Sequence, residues 1–424
     1  MPTAHFSFGA VSTYSTAHSK STVNNFLSNF CGDIVGKQER NGIMEDLSII
    51  REKINNIDNQ IVELWKERME TALAVAQYKK ENNLPVLDAK RERELLDRIS
   101  NMAGEDLEVY SRVLYDTIMT VSRSYQHRYL NTDSELAKKI KAAVENTSKL
   151  FPQKAMVACQ GVEGAYSGLA CEKLFKYPTV SYFKTWYDVV NAVEKGLCKY
   201  GVLPIENSTA GSVNGVYDLM AEHNFYVVKS FRLKINHCLL GNKGATLDGI
   251  KEIFSHEQAI NQCSDFLREH SNIKVTVCEN TAVAAKMVME SGRTDAAAIS
   301  SENCRELYGM TLISDDVQNK DNNYTRFICI SKDLEIYPGA DKTSFVLTLP
   351  HHPGSLYHTL ARFYALGINV QKLESRPIQN KDFEFMFYFD MSVSVYDNSF
   401  YEILEQLKDE CEYFHYLGSY QEVV

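Results

Sequence analysis

The sequence predicts a multidomain chain: an all-helical segment, then a two-lobed α/β segment, then a small α+β module. Three observations predict it. Apolar residues fall on a heptad seam from Leu47 to Leu64. From residue 154 short apolar runs alternate with helical patterns, and polar clusters stand at the ends of the runs. After residue 341 the pattern reads strand–helix–strand–strand–helix–strand. A length of 424 residues suits about three domains of ordinary size.

Composition narrows the function classes. With 44% hydrophobic and 24% charged residues the chain reads as ordinary soluble globular domains. No uninterrupted apolar run reaches the ~18 residues of a membrane span. A net charge of −10 argues against a general nucleic-acid surface, while leaving room for a local Arg/Lys pocket that takes small anions. The ten cysteines are scattered and form no CxxC pair, so reduced core thiols in a cytoplasmic protein are expected, with no metal or disulfide framework. Residues 1–43, rich in Ser, Thr and Asn and without period, are expected to be a disordered or mis-assigned N-terminal extension, with Met44 as the functional start.

In the helical segment, residues 44–131, the seam is Leu47, Ile50, Ile54, Ile57, Ile61 and Leu64, and helical spacing continues to about Asn82, before Pro85. Such a helix is roughly 55 Å long, too long for a compact monomer core, and is expected to pack against another chain. Shorter helices are expected over Ala89–Asn101 and Leu107–Leu130. On the long helix Arg68 and Lys79 lie about 20° apart in phase and about 16 Å apart in rise, so both can converge on one small ligand. Arg51 lies about 25 Å from Arg68 along the axis and reaches such a pocket only across an antiparallel dimer. The second helix adds Asp88, Arg91 and Glu92, and the third adds Ser122 and Gln126 one turn apart. Spacing alone fits equally a row of solvated charges on a coiled coil.

The run IREKINNIDNQIVELWKER, then Lys79, PVLDAKRERELL and SRSYQ, resembles the all-helical chorismate mutase family along the whole segment. The resemblance implies that Arg68, with Arg51 from the second subunit, holds the substrate carboxylates. It implies that Lys79 and Gln126 bond the ether oxygen, that Glu92 helped by Asp88 takes the ring hydroxyl, that Ser122 lies near a carboxylate and that Arg91 supports the site. The chemistry suits these residue types. A pericyclic rearrangement needs no nucleophile; it needs a dianion held in its reactive shape and donors where charge develops on the ether oxygen.

After a linker over 132–153, which contains a polar helix from Ser134 to Asn146, strands are expected at 154–159, 200–205, 251–254, 274–278, 296–299 and 325–330, with helices between them. This reads as one α/β unit, or two lobes with a cleft at the strand ends. Polar clusters mark those ends: Gly161–Ser167, Pro204–Thr209, Ser255–Gln258, Glu279–Thr281 and Asn323–Phe327. Each cluster alone reads equally as a helix cap; together they favour a shared site.

The runs GVEGAYS, LPIENSTAGSV, SHEQAINQC and above all NYTRF resemble the prephenate dehydratases over 154–335. That family implies a periplasmic-binding-protein-like fold with Thr325 as the central catalytic residue. It also implies that Arg326 and Phe327 shape the pocket and that Glu206, Asn207, Ser208, His256 and Gln258 occupy further substrate-binding positions. Prephenate loses carbon dioxide and its ring hydroxyl together, so the enzyme must help hydroxide leave. A hydroxyl such as Thr325 can bond the leaving oxygen; Glu206 is its rival as the acid, and Arg326 is either an anion contact or a brace.

Residues 341–420 give the order βαββαβ, a ferredoxin-like pattern with no catalytic constellation. They resemble an ACT-type amino-acid-sensing domain. Gly354-Ser355-Leu356-Tyr357 stands where the dehydratases usually carry Gly-Ala-Leu-Val, and Glu374-Ser375-Arg376-Pro377 matches the second motif. The implied ligand is L-phenylalanine, bound between two such domains. Together the resemblances imply a bifunctional enzyme of phenylalanine biosynthesis that takes chorismate and prephenate, is inhibited by L-phenylalanine, forms a homodimer or higher homo-oligomer, and uses no cofactor, nucleic acid or membrane. The alternatives are a prephenate or arogenate dehydratase whose helical segment is only a dimerisation arm, and a small-molecule-binding regulatory protein.

Overall fold

The computed structural model describes residues 46–82, 84–130, 134–351, 353–378 and 384–423; the expected extension over 1–43 lies outside them. The chain divides into two compact units, one ending at Glu70 and one beginning at Thr71. The division falls within helix α1 (Leu47–Glu81), which at 35 residues is about 52 Å long. In the first unit the seam residues Leu47, Ile50, Ile54, Ile57, Ile61 and Leu64 are 40–66% exposed. At its other end α1 closes with the Leu84 amide bonded to the Lys79 carbonyl at 2.8 Å, just ahead of Pro85.

Helix α2 (Ala89–Ala103) starts where the Asp88 side chain accepts the Arg91 amide and stops at Gly104, with φ +77°. Helix α3 (Glu108–Leu130) packs on it, burying Ile99 and Met119 and pairing Arg112 with Asp97 at 2.8 Å. All three helices begin and end close to the bounds expected from sequence. Helix α4 (Glu135–Asn146), capped by Ser134, sets Ala137 and Ile140 into an apolar core with Ile336, Phe345, Phe363 and Phe389. The polar helix of the expected linker is thus packed down by one apolar stripe.

The α/β segment forms two sheets. The first holds β1 (Lys154–Gln160), β2 (Tyr177–Phe183), β3 (Tyr200–Asn207), β4 (Gly211–Ser212) and β5 (Tyr226–Lys234), interleaved with α5 (Tyr166–Leu174), α6 (Trp186–Glu194) and α7 (Asn214–Glu222). The second holds β6 (His237–Gly241), β7 (Glu252–Ser255), β8 (Lys274–Val277), β9 (Ala296–Ser301) and β10 (Thr311–Ser314). Its helices are α8 (Glu257–Gln262), α9 (Ser264–Glu269), α10 (Thr281–Ser291) and α11 (Asn303–Tyr308). Then β11 (Tyr324–Ser331) returns to the first sheet and inserts between β3 and β5, antiparallel to both. The orders are β5-β11-β3-β1-β2, with β4 on β3, and β10-β6-β9-β7-β8. The chain therefore crosses between lobes twice, at Ile235–Asn236 and over 315–323.

The six expected strands are present, but β2, β5, β6 and β10 stand where helical patterns were expected. The reason is physical. The run His237–Gly241 is buried at every residue and shows no period-two face; short buried strands and short buried helices have the same hydropathy.

The C-terminal segment follows the expected order: β12 (Lys342–Thr348), α12 (Ser355–Ala365), β13 (Asn369–Pro377), β14 (Phe385–Ser392), α13 (Asn398–Glu410) and β15 (Tyr413–Tyr420). Its antiparallel sheet has the order β13-β14-β12-β15. One further strand, β16 (Glu422–Val423), crosses back to pair parallel with β5. Just before it, Gly418 takes φ +142° against β5, where a Cβ would sit 2.3 Å from the Val227 carbonyl oxygen. Val346, Tyr388, Leu417 and Tyr420 share one core with Leu203, Val227 and Ile328, so this domain and the first lobe are packed as one body.

Candidate active site

The sequence-predicted residues fall in two parts of the chain. In the helical part Arg51 is exposed and Arg68 half-buried, both in the first unit. In the second unit the Lys79 ammonium donates to the Val86 carbonyl at 2.6 Å. Glu92 is held by Arg123 of α3 at 2.5 Å, and Arg123 also bonds Thr120 at 3.2 Å. Arg123 was not singled out from sequence, although it stands within SRSYQ. Asp88 caps α2, and Arg91 lies exposed near Glu94 at 4.0 Å. Ser122 and Gln126 are buried on α3, and the Gln126 amide oxygen has no hydrogen-bond partner among the described residues. These groups are cations, the carboxylates of Glu92 and Asp88, the Gln126 amide and the Ser122 hydroxyl; no Cys or His stands among them.

The second place lies where β3 and β11 meet the second lobe. Thr325 pairs in register with Asn207, and a bulge between Arg326 and Phe327 interrupts the ladder beside them. The Asn207 amide donates to the Thr325 hydroxyl oxygen at 3.0 Å and to Asn323 Oδ1 at 2.9 Å. Its own oxygen accepts from Thr209 and Ala210, an Asx turn that fixes the amide plane. Ser208 donates to the Asn322 carbonyl and accepts the Tyr324 amide, tying the two strand ends together.

Beside these strand ends opens a cleft of about 710 Å³, lined by Ser208, Thr209, His256, Gln258, Gln262, Lys320 and Asn323 among others. His256 and Gln258 are brought together because His256 caps α8, its Nδ1 accepting the Gln258 amide. Gln262 donates to Thr209 and accepts from Asn323 at 3.0 Å and from the His237 ring at 3.1 Å. Burial pushes the His237 imidazole down to about 4, against the upward pull of its bond to Gln262. His237 also meets the Tyr166 hydroxyl at 3.3 Å, and that hydroxyl donates to the Asn236 carbonyl. Gln262, Asn323 and Tyr166 lie inside the dehydratase-like runs without a local feature that marks them, and His237 and Lys320 carry no local signal.

Of the expected residues Ser208, His256 and Gln258 line the cleft, and Asn207 and Thr325 stand next to it, bonded to the lining residues Asn323 and Thr209 through Asn207. Side chains alternate along a strand, so Glu206 and Arg326 point to the face opposite Asn207 and Thr325. Glu206 is held by Lys372 at 3.1 Å, and Arg326 is buried against Asp390. Phe327 belongs to the apolar core with Val157, Cys159 and Cys329. In the Gly161–Ser167 loop Gly164, at φ +89°, packs against Cys304 and Leu307 of the second lobe.

In the C-terminal domain a cavity of about 420 Å³ is lined by Thr348, Leu349, Pro350, Ser355, Leu356, Phe385 and Phe387 among others. Gly354, at φ +93°, caps α12 beside it, and Tyr357 is exposed. Along β13, Ser375 pairs with Phe387 and Pro377 with Phe385. Glu374 and Arg376 turn the other way: Glu374 accepts from Ser212 at 2.5 Å, and Arg376 forks onto Asp218 at 2.8 and 3.0 Å. Among the described residues no helix is long and apolar enough to cross a membrane.

With this geometry in hand, similarity to known proteins falls on the same segments. Residues 50–127 match the family model of chorismate mutase type II, and residues 157–335 that of prephenate dehydratase. The bifunctional chorismate mutase/prephenate dehydratase of Buchnera aphidicola subsp. Acyrthosiphon pisum is 31% identical over 88% of this chain and 96% of its own length. The arogenate dehydratase/prephenate dehydratase 2 of Arabidopsis thaliana is 36% identical over 63% of this chain and 73% of its own. The crystal structure of the Arthrobacter aurescens prephenate dehydratase in complex with L-Phe superposes with a TM-score of 0.59, at 26% identity, over 63% of this chain and 92% of that one.

Proposed function

Because the chain belongs to the bifunctional chorismate mutase/prephenate dehydratase family, we propose that its two clusters divide two successive reactions of L-phenylalanine biosynthesis between them. The chain is an enzyme with both activities. It rearranges chorismate to prephenate in the helical part and converts prephenate to phenylpyruvate in the α/β part.

In the rearrangement Arg68 and a second subunit's Arg51 hold the carboxylates, while Lys79 and Gln126 donate to the ether oxygen as its bond breaks. Glu92, steadied by Arg123 and helped by Asp88, accepts the ring hydroxyl, Ser122 lies near a carboxylate, and Arg91 supports the pocket. The exposed apolar seam of α1 supports a dimer through that helix, because six exposed aliphatic side chains in one stripe ask for a partner.

The dehydratase assignment is carried by one observation, the Asn207–Thr325 hydrogen bond, which adjoins the cleft through the bond of Asn207 to the lining residue Asn323. With its oxygen lone pair engaged by Asn207, the Thr325 hydroxyl directs its own proton toward the cleft, where it donates to the departing ring hydroxyl. Ser208, His256 and Gln258 orient the substrate from the cleft wall. Glu206, Arg326 and Phe327 act from behind the strands. Prephenate carries two carboxylates, and Lys320 is a cation on that wall.

We assign the C-terminal βαββαβ domain as a ferredoxin-like ACT module that senses L-phenylalanine. The cavity beside Gly354, Ser355 and Leu356 supports it, being apolar on Phe385 and Phe387 and bounded by backbone at the α12 start. Tyr357, Ser375 and Pro377 flank it, while Glu374 and Arg376 anchor the module to the catalytic lobe. The buried thiols of Cys159, Cys171, Cys198, Cys238, Cys263, Cys304 and Cys329 form no disulfide, which supports a reducing compartment such as the cytoplasm. The test is an assay of both steps with purified protein, comparing prephenate with arogenate. Absence of phenylpyruvate from prephenate overturns the dehydratase assignment, and turnover insensitive to L-phenylalanine, with no binding by calorimetry, overturns the sensor.

A further inference from the structure

The face of β3 and β11 turned away from the cleft meets the C-terminal sheet through charged groups. Lys372 of β13 donates to Glu206 at 3.1 Å and to Ser212 at 2.8 Å. Asp390 of β14, fully buried, accepts from Arg326, from Ser344 at 3.1 Å and from Tyr420 at 3.2 Å. Glu206 also stands 3.7 Å from Arg326, too far for a hydrogen bond. The buried Arg326 Nε and Nη2 find no partner among the described residues. One carboxylate, Glu206, therefore lies between two cations and is bonded to Lys372.

Glu206 precedes Asn207, and Arg326 follows Thr325. Each charged residue is thus the chain neighbour of a strand residue that makes the Asn207–Thr325 hydrogen bond. Thr325 and Arg326 are the last pairs in register with β3 before the bulge at Phe327, so side-chain contacts from behind reinforce the backbone pairing where the ladder is about to shift. Misplacement of a reacting group by about 1 Å can cost on the order of a hundredfold in rate.

We propose that Lys372 and Asp390, both supplied by the C-terminal domain, are positioning residues of the dehydratase step, holding Glu206 and Arg326 so that Asn207 and Thr325 keep their catalytic geometry. This rests on reading Thr325 as the group that meets the leaving hydroxyl. The C-terminal domain is then part of the catalytic scaffold as well as a sensor. Neither residue lines the cleft, so the effect falls on turnover and not on substrate affinity.

The experiment uses full-length protein with Lys372→Met, Lys372→Arg, Asp390→Asn and Thr325→Ala. Mutase and dehydratase rates are measured on the same preparations. Lys372→Met and Asp390→Asn are expected to lower dehydratase kcat by about tenfold to a hundredfold with KM within about twofold. Mutase activity is unchanged, and Lys372→Arg recovers most of the loss. Wild-type kcat in Lys372→Met and Asp390→Asn beside a Thr325→Ala slowed by about a hundredfold overturns the proposal and leaves the site reading standing. Lys372→Arg no better than Lys372→Met also overturns it. Full activity in Thr325→Ala brings down the site reading, and the proposal with it. Should Asp390→Asn fail to fold, which lost mutase activity reports, the Lys372 pair decides.

Discussion

The helical part and the α/β part present their chemistry in opposite ways. On the helices the candidate groups are mostly long side chains, Arg51, Arg68, Lys79 and Arg91, exposed or half-buried along a rod. In the cleft they are short, neutral and already bonded to one another: Asn207 to Thr325 and Asn323, and Gln262 to His237. A pericyclic step needs charge placed around a dianion, and cations on a helix face supply it once the ligand arrives. Expelling hydroxide needs one donor aimed at one oxygen, and a prebuilt network aims it.

Four measurements break or sharpen that contrast. Lys79→Ala should cost the most, about a thousandfold in mutase rate, or about 4 kcal/mol, because a charge-assisted donor at the developing oxyanion is lost. Dehydratase rate should hold. A mutase loss below about threefold would remove Lys79 from the site.

Next is the acid limb of stability. His237 is kept neutral by burial, so between pH 6.5 and about 4 the unfolded chain binds more protons than the folded one. Its contribution, about 3 kcal/mol, is fully present above pH 6.5 and lost as the pH falls through about 4. Denaturant titrations of wild type and His237→Gln across that window should differ in slope, and parallel curves would mean that the buried ring is not what titrates.

Thr325→Ala should lower dehydratase kcat by about a hundredfold, or 2.7 kcal/mol, less than Lys79 because the lost donor is neutral. Asn207→Ala should follow it in the same direction and sum to less than the two separate losses, since both act through one hydrogen bond. Additive losses would separate them.

The smallest effect is in the seam. Ile57→Asp should shift sedimentation toward monomer and reduce mutase rate by about tenfold while sparing the dehydratase. Unchanged mutase activity in a monomer would show that one chain suffices.

The same contrast explains what was legible in sequence. The three long helices could be read because a heptad seam, Pro85 and an Asp88 cap are local signals. The βαββαβ order could be read because β14 alternates Phe385, Phe387 and Phe389 with Met386 and Tyr388. The strands β2, β5, β6 and β10 could not, because their identity is set by neighbours distant in the chain. Within the site, Thr325, Asn207, Ser208, His256 and Gln258 stand at strand ends where polar residues interrupt apolar runs. What stayed hidden was orientation. Strand alternation alone turns Glu206 and Arg326 away from Asn207 and Thr325, but their partners Lys372 and Asp390 lie far along the chain. Arg123 was hidden similarly, since only the packing of α2 on α3 brings it to Glu92.

The insertion of β11 between β3 and β5 has a consequence for synthesis. When β5 leaves the ribosome, its place in the first sheet does not yet exist, because the strand that must separate it from β3 lies beyond the whole second lobe. Its other neighbour comes later still: Ser230 and Glu422 are 192 residues apart. At ~5–20 residues per second, β5 waits roughly 10–40 s for it. During that interval Tyr226–Lys234 is an unpaired edge, and Lys229, Arg232 and Lys234 give it the positive charge that discourages pairing with another nascent chain. The second lobe, contiguous in the chain, can fold before β11 emerges to complete the first sheet.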